Sequence, residues 1–312
     1  MSSPSGGERG SGYAIELQGV SKHFGLKVAV DNVGFVVHRG TCYGLIGPNG
    51  AGKTTTFSMM CGFLYPTRGV IKVLDAVPTA PGALKGKVGV LPQDAVLPPT
   101  WPVGALLTYL ARLSGLPNPE KEARDAIERV GLPETWGVLC GALSHGMHKR
   151  IAMAQALMGQ PPVILLDEPT AGLDPKIAAH VRTIIRELKG KSTVVVSSHN
   201  LNELEELCDA TAVLDKGALV TSSSMAELTG QSAEFRVQLA KGTVALEKVR
   251  GLSGVTAASI DAQNVLVVVF DGKTAQVEDV ISATLGVVLA DGAKVTGVWR
   301  GKKLEEKVLQ LT

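Results

Sequence analysis

The sequence predicts an α/β fold with a helical insertion and a smaller α+β domain behind it, on three observations. Short apolar runs, Cys42–Ile46, 163–166 and 194–196, read as strands buried on both faces. The first of these runs into Gly47-Pro48-Asn49-Gly50-Ala51-Gly52-Lys53-Thr54, the pattern G-x-x-x-x-G-K-[ST], and then into a helix over 54–62. From about residue 94 to 141 the apolar period turns helical, and from 233 the character shifts again.

Strand, glycine turn and helix in that order form a phosphate-binding loop. Glycines let the backbone wrap a polyphosphate and aim N–H groups inward, and the helix N-terminus adds partial positive charge. Lys53 reaches the β- and γ-phosphates, the Thr54 hydroxyl suits Mg²⁺, and Thr55 follows in the same turn. The substrate expected here is a nucleoside triphosphate.

Bulk numbers narrow the classes. A chain of 312 residues has room for two domains and a large core. Its 31 Lys and Arg against 29 Asp and Glu leave it near neutral, so no nucleic-acid partner is expected. Cys42, Cys61, Cys140 and Cys208 are scattered without a C-x-x-C pair and read as reduced thiols of a cytosolic protein. No run reaches eighteen consecutive apolar residues, so no helical membrane span is expected. Residues 1–12, rich in Ser and Gly and lacking an apolar core, read as a disordered tail rather than a signal peptide.

In chain order, alternation over 14–20 predicts an edge strand, 21–25 a turn carrying Phe24, and 33–37 a second strand. By itself Phe24 reads as core or as a face for a nucleotide base, core being the commoner use of Phe. Residues 70–74 and 87–91 read as strands, the latter leading to Gln93, on its own a polar loop residue. Helices are predicted over 103–113 and 120–130, bounded by the proline-rich stretches 98–102 and 116–119. Ser144 suits an N-cap ahead of an apolar helix over 151–158. His145 and His148 stand three apart, but no carboxylate or cysteine nearby in sequence supports a metal there. The strand over 163–166 ends in Asp167-Glu168, and charges at the end of a buried strand are costly unless they serve a cation or a reaction. Asp167 suits Mg²⁺, and Glu168, facing another way, suits activation of a water for attack on a γ-phosphate. Asp174 lies in a turn before a helix over 176–188, and His199 ends the strand pattern 193–199.

Taken together, the phosphate loop, Gln93, the segment 143–147, Asp167-Glu168, Asp174 and His199 resemble the ATP-binding subunit of an ABC transporter over about residues 13–230. The resemblance implies a P-loop NTPase core of the ABC-ATPase type, with a helical subdomain near 94–150. It makes Phe24 the aromatic that stacks on adenine, and Gln93 the residue that senses Mg²⁺ and the γ-phosphate and couples to a membrane partner. Ser144 and Gly146 match the signature motif that contacts ATP held by an opposite subunit. Asp167 matches the Mg²⁺-associated acid, Glu168 the general base, Asp174 the inter-subunit turn and His199 the γ-phosphate switch. Where the family usually reads Leu-Ser-Gly-Gly-Gln, this chain has His145 and Met147, and the Ser-x-Gly-Met form followed by basic residues is similar to the ABC-2 type exporter branch.

Behind the core, strands are predicted at 235–239, 255–260, 265–270 and 294–299, helices at 245–252 and 275–285, and an amphipathic tail at Leu304–Leu311. That β-α-β-β-α-β order suggests a ferredoxin-like domain over 231–312, a packing or dimer-stabilising module. The resemblance implies ATP hydrolysis with Mg²⁺ in a sandwich dimer of two such subunits. It also implies a separate ABC-2 type permease and a peripheral location on the cytoplasmic face of the membrane. The rival reading is a soluble non-transport ABC clamp. Its translation-type members usually carry two cassettes and its repair-type members long coiled-coil arms, neither of which this sequence has.

Overall fold

The computed structural model describes residues 12–80, 82–229, 234–241, 244–272, 275–301 and 304–311. The expected tail at 1–12 lies outside them but for Gly12. The chain divides into two compact units that meet between Ser222 and Ser223.

The first unit begins with β1 (Tyr13–Phe24), β2 (Lys27–His38), β3 (Cys42–Ile46), α1 (Lys53–Met60), β4 (Arg68–Val73) and β5 (Val88–Leu91). It continues with α2 (Val103–Ser114), α3 (Pro119–Arg129), α4 (His145–Leu157), β6 (Val163–Asp167), α5 (Pro175–Leu188), β7 (Thr193–Ser197), α6 (Leu201–Leu207), β8 (Ala210–Asp215) and β9 (Ala218–Ser224). Six strands form one sheet in the order β5-β6-β7-β3-β8-β9, with β5 through β8 parallel. Every residue of β3, β6 and β7 is buried, which is why each reads as a largely apolar run without alternation. An antiparallel sheet, β2-β1-β4, packs its Ile15, Leu17, Val33 and Val37 into the same core as Leu45, Leu165 and Val195.

Two expectations are corrected here. Residues 21–24 continue β1 instead of turning, and β2 starts at Lys27, so the hairpin is far longer than the sequence pattern indicates. Register shifts on either side of Val20, with Gly19 at φ 56°, break the alternation without ending the strand. Helix α4 starts at His145, well before the apolar stretch, with the expected Ser144 as its N-cap.

The helical insertion is held by α2 and α3, which bury Val103, Leu107 and Ala111 against Ala123, Ala126 and Ile127. The Trp136 indole lies so close to Gly104 that a Cβ there would meet its ring at 2.4 Å, and the Arg124 guanidinium covers that ring at 3.8 Å.

The second unit comprises α7 (Met225–Thr229), β10 (Glu234–Lys241), α8 (Leu246–Arg250), β11 (Val255–Ile260), β12 (Val265–Phe270), α9 (Val277–Ala290), β13 (Lys294–Arg300) and α10 (Leu304–Leu311). Its sheet runs β11-β12-β10-β13 with all neighbours antiparallel. Phe235, Val237, Leu266 and Val268 face one way and pack with Val249, Val280 and Val288 from the helices. Among the described residues no helix is long and apolar enough to cross a membrane.

Candidate functional site

Strands β6, β7 and β3 lie side by side and parallel, so their C-terminal ends set three loops in a row. These are Asp167-Glu168, Ser197-Ser198-His199 and the loop 47–52. Ligands of open α/β sheets bind at this edge. A cleft of about 480 Å³ opens there, lined by Asn49, Gly50, Gly52, Lys53, Thr54 and Thr55 from the loop and first turn of α1. Gln93, Asp167, Glu168 and His199 line its other side.

The loop is shaped by close approach. A Cβ on Gly47 would meet Leu214 O at 2.3 Å, and one on Gly52 would meet Ala29 O at 2.7 Å, with φ at 99°. Ala51 folds inward and is buried, its carbonyl accepting from Gly217 N at 3.1 Å. The Lys53 ammonium donates to Gly47 O at 2.6 Å and Pro48 O at 3.0 Å, tying the loop across the helix start. Burial pulls the Lys53 pKa below its ordinary value, opposed by the charges of Glu168 and Asp167.

Asp167 is buried, and burial raises its pKa, while the Ser197 hydroxyl that donates to it stabilises the charged form. The same Ser197 accepts from Glu168 N at 3.2 Å, and Ser197 O accepts from that N–H at 3.0 Å. Glu168 has φ 50°, in the left-handed region that non-glycine residues rarely enter, so its side chain departs from the direction of the strand. It reaches His199, with Oε2 and Nδ1 2.8 Å apart. A carboxylate that accepts this bond takes it from Nδ1–H of the His199 ring.

Besides Gly47, Pro48 and Ala51 of the loop itself, the predicted site residues Phe24, Ser144, Gly146 and Asp174 do not line the cleft. Phe24 is 49% exposed at the end of β1, which removes the core reading, and the Lys22 ammonium lies 5.2 Å from its ring centroid. Ser144 is the N-cap of α4, its Oγ accepting from Met147 N at 3.3 Å. Gly146 faces Leu173 and Ile177, a Cβ there standing 3.6 Å and 3.8 Å away. Asp174 caps α5 by accepting from Lys176 N at 3.1 Å and Ile177 N at 3.0 Å. Of the two histidines of this segment, His148 Nε2 accepts from Leu97 N at 3.3 Å.

Three contributors escape sequence reasoning. Ser197 ties Asp167 to the Glu168 backbone. Lys149, from α4, donates to Ala171 O at 3.0 Å in the loop after Glu168. Burial lowers its pKa, and Glu168 and Asp167 lead the charges that oppose this. Glu203, near the start of α6, is buried and accepts from Thr170 Oγ1 at 2.6 Å. A pattern of hydroxyls and one acid just beyond a strand carries no signal that separates these from ordinary surface loops.

The oxygen donors on the cleft wall, the Thr54 hydroxyl, the Gln93 amide and the Asp167 carboxylate, are the hard ligands that Mg²⁺ takes. With the loop ammonium and the Glu168–His199 pair, the arrangement fits a triphosphate attacked by water.

Comparison with known proteins agrees with this chemistry. A family model described as ABC transporter matches residues 30–171, and one described as AAA domain, putative AbiEii toxin, Type IV TA system matches 139–205. The Nod factor export ATP-binding protein I of Bradyrhizobium diazoefficiens is 40% identical over 219 residues, 67% of this chain and 70% of that protein. The linearmycin resistance ATP-binding protein LnrL of Bacillus subtilis is 34% identical over 218 residues, 69% of this chain and 70% of the relative. A solved structure described as the ATP binding subunit of an ABC transporter is similar with a TM-score of 0.65 and 27% identity, over 70% of this chain and 92% of that one.

Proposed function

The chain belongs to the ABC transporter ATP-binding family, and on that premise we propose that it is the ATP-hydrolysing subunit of an ABC-2 type exporter. The observation that carries the hydrolytic reading is the Glu168–His199 pair at the rim of the phosphate-loop cleft. Export is supported by the names of two relatives, a Nod factor export protein and a linearmycin resistance protein.

ATP is the substrate. Its phosphates take N–H groups from residues 49–55 and the charge of Lys53. Glu168 removes a proton from water as the water oxygen bonds to the γ-phosphorus. The bond from that phosphorus to the β-γ bridging oxygen breaks, giving ADP and phosphate. His199, donating from Nδ1, holds the Glu168 carboxylate in place. Thr54, Gln93 and Asp167 are the residues that would hold Mg²⁺, which when bound neutralises charge on the β- and γ-phosphates.

Phe24, exposed near the loop end of β1, is assigned to the adenine. Ser144 and Gly146, whose segment is absent from the cleft wall of its own chain, are assigned to ATP held by a second copy, and Asp174 to the contact between copies. Two subunits would then sandwich two ATP molecules, and their closing and opening would be the mechanical output. The chain works on a separate permease at the inner face of the membrane, docked through the helical insertion near 101–138. In the second unit the strand order, counted within the unit as 2-3-1-4, supports the ferredoxin-like reading, with a role in packing or dimer stability.

Glu168→Gln tests the site. Hydrolysis should fall by about 10²–10⁴-fold, the usual contribution of a positioned base, while ATP binding persists and an ATP-bound dimer accumulates on size-exclusion chromatography. Turnover at the wild-type rate would remove Glu168 from the role. Capture of a polytopic membrane protein by the same variant, with Mg-ATP and not without, tests the exporter reading; recovery of soluble proteins alone would favour a soluble clamp.

A further inference from the structure

We propose that Glu203 is a positioning residue for hydrolysis, locking the loop that carries Glu168 to the loop that carries His199 through Thr170 and Ser198. The inference rests on the reading of Glu168 as the base.

The cap of α6 is only half made. Asn200 is the N-cap of α6, and its Oδ1 accepts from Glu203 N at 3.3 Å. In the reciprocal half of a capping box the third-position Glu turns back to the N-cap N–H, at the helix surface. Here Asn200 N donates to Ser198 Oγ at 3.1 Å instead, and the Glu203 side chain turns inward, leaving the residue 3% exposed. Its Oε2 accepts from Thr170 Oγ1 at 2.6 Å and Ser198 Oγ at 3.3 Å, while Oε1 is buried without a hydrogen bond.

A buried carboxylate with one oxygen unpaired is unfavourable beside the solvated capping geometry open to the same residue. Helix stability therefore does not account for it, and its partners do. Thr170 stands two residues after Glu168, and Ser198 one before His199. The Glu168–His199 bond at the cleft and the Thr170–Glu203–Ser198 bonds behind it close a ring across two loops that otherwise belong to separate strands. Hydrolysis depends on holding the base and its partner within fractions of an ångström, and a 1 Å misplacement can lower a rate by about 10².

Single-turnover hydrolysis of Mg-ATP by the full-length chain tests this with Thr170→Val, Glu203→Gln and Glu203→Ala. Each would be assayed alone and in the Glu168→Gln background, alongside Mg-ATP affinity and Tm. Thr170→Val and Glu203→Ala should slow the chemical step about tenfold, with affinity changed less than twofold. Glu203→Gln, which keeps an acceptor without its charge, should lose only about threefold. Thr170→Val combined with Glu203→Ala should be no slower than either alone, since both cut the same link. In the Glu168→Gln background all should change the residual rate less than twofold. Wild-type rates in the near-isosteric Thr170→Val and Glu203→Gln, equal losses in both backgrounds, or a loss explained by weaker binding would each overturn the proposal. A Glu168→Gln chain at full speed would instead sink the base assignment beneath it.

Discussion

Helices α1 and α4 carry the two phosphate-facing segments that the family resemblance assigns, yet their N-termini are finished in opposite ways. At α1 the N-cap is Gly52, with no side chain to accept from the first-turn amides, and that turn opens on the cleft. At α4 the N-cap is Ser144, whose hydroxyl is already engaged with Met147 N, and α5 is capped in the same manner by Asp174. A helix start leaves four N–H groups without intrahelical partners, and a side-chain cap is worth about 1 kcal/mol. Helix α1 forgoes that stabilisation at the place where an anion would supply it, next to Lys53 and opposite Asp167 and Glu168. Helix α4 satisfies its own terminus and stands off the cleft wall of its own chain. The difference teaches that one helix start is left open towards the cleft while the other is closed on itself, so the second can be presented elsewhere without unsettling the fold.

The strongest way to break the comparison is at Lys53. Lys53→Ala removes both the loop tie to Gly47 O and Pro48 O and the charge facing the phosphates. Charge-assisted bonds of this kind are worth roughly 1.5–3 kcal/mol, so ATP affinity should fall about a hundredfold by calorimetry. Unchanged affinity would show that the amides alone suffice. Next comes Gly52→Ala, where a side chain would meet Ala29 O at 2.7 Å and adopt φ 99°. The strain and the overlap should lower stability by about 2 kcal/mol in denaturant unfolding and weaken ATP binding with it. Full stability in that variant would mean that the turn is softer than its geometry indicates.

How far all this is legible in the sequence depends on what each residue is asked to do. Asp167 and Glu168 stand out because charges follow an unbroken apolar strand, a local contradiction that only a site resolves. The phosphate loop is legible because its glycines, lysine and threonine follow one another without a gap between an apolar strand and a helix. The strands and helices of the second unit are legible because turn residues such as Gly254, Gly292 and Asp271 bound their apolar runs. Glu203 and Lys149 are not legible. Their surroundings exist only where loops from different strands meet, and in sequence Glu203 after Asn200 looks like an ordinary capping pair. The far half of β1 is hidden too, since bulges at Gly19 and Val20 destroy the alternation that marks a strand.

Ser144→Ala sharpens the comparison with a smaller effect. Loss of the bond to Met147 N should cost about 1 kcal/mol, seen as a small fall in Tm. The affinity of a monomeric chain for ATP should stay within twofold, because Ser144 is absent from the cleft wall, while hydrolysis by the dimer should drop. Weaker binding by the monomer would place Ser144 in the cradle of its own chain and remove the contrast with α1.

The smallest effect concerns what holds α4 to the loop beyond Gln93. His148 Nε2 accepts from Leu97 N, which requires a neutral ring, and Asp94, His145 and Lys149 line the same groove. Burial, and then the charge of His145, lower the His148 pKa below the ordinary 6.5. The folded chain therefore binds this proton less readily than the unfolded chain. The stability contributed is fully present above pH 6.5 and is lost as pH falls below it towards the folded value. His148→Gln keeps an acceptor for Leu97 N and does not titrate. Between pH 7 and pH 5 the wild type should thus lose more stability than His148→Gln, by about 1 kcal/mol or less, in paired denaturant titrations. Equal losses in the two proteins would show that acid weakens the molecule elsewhere, and that the tie between α4 and Leu97 survives a charged ring.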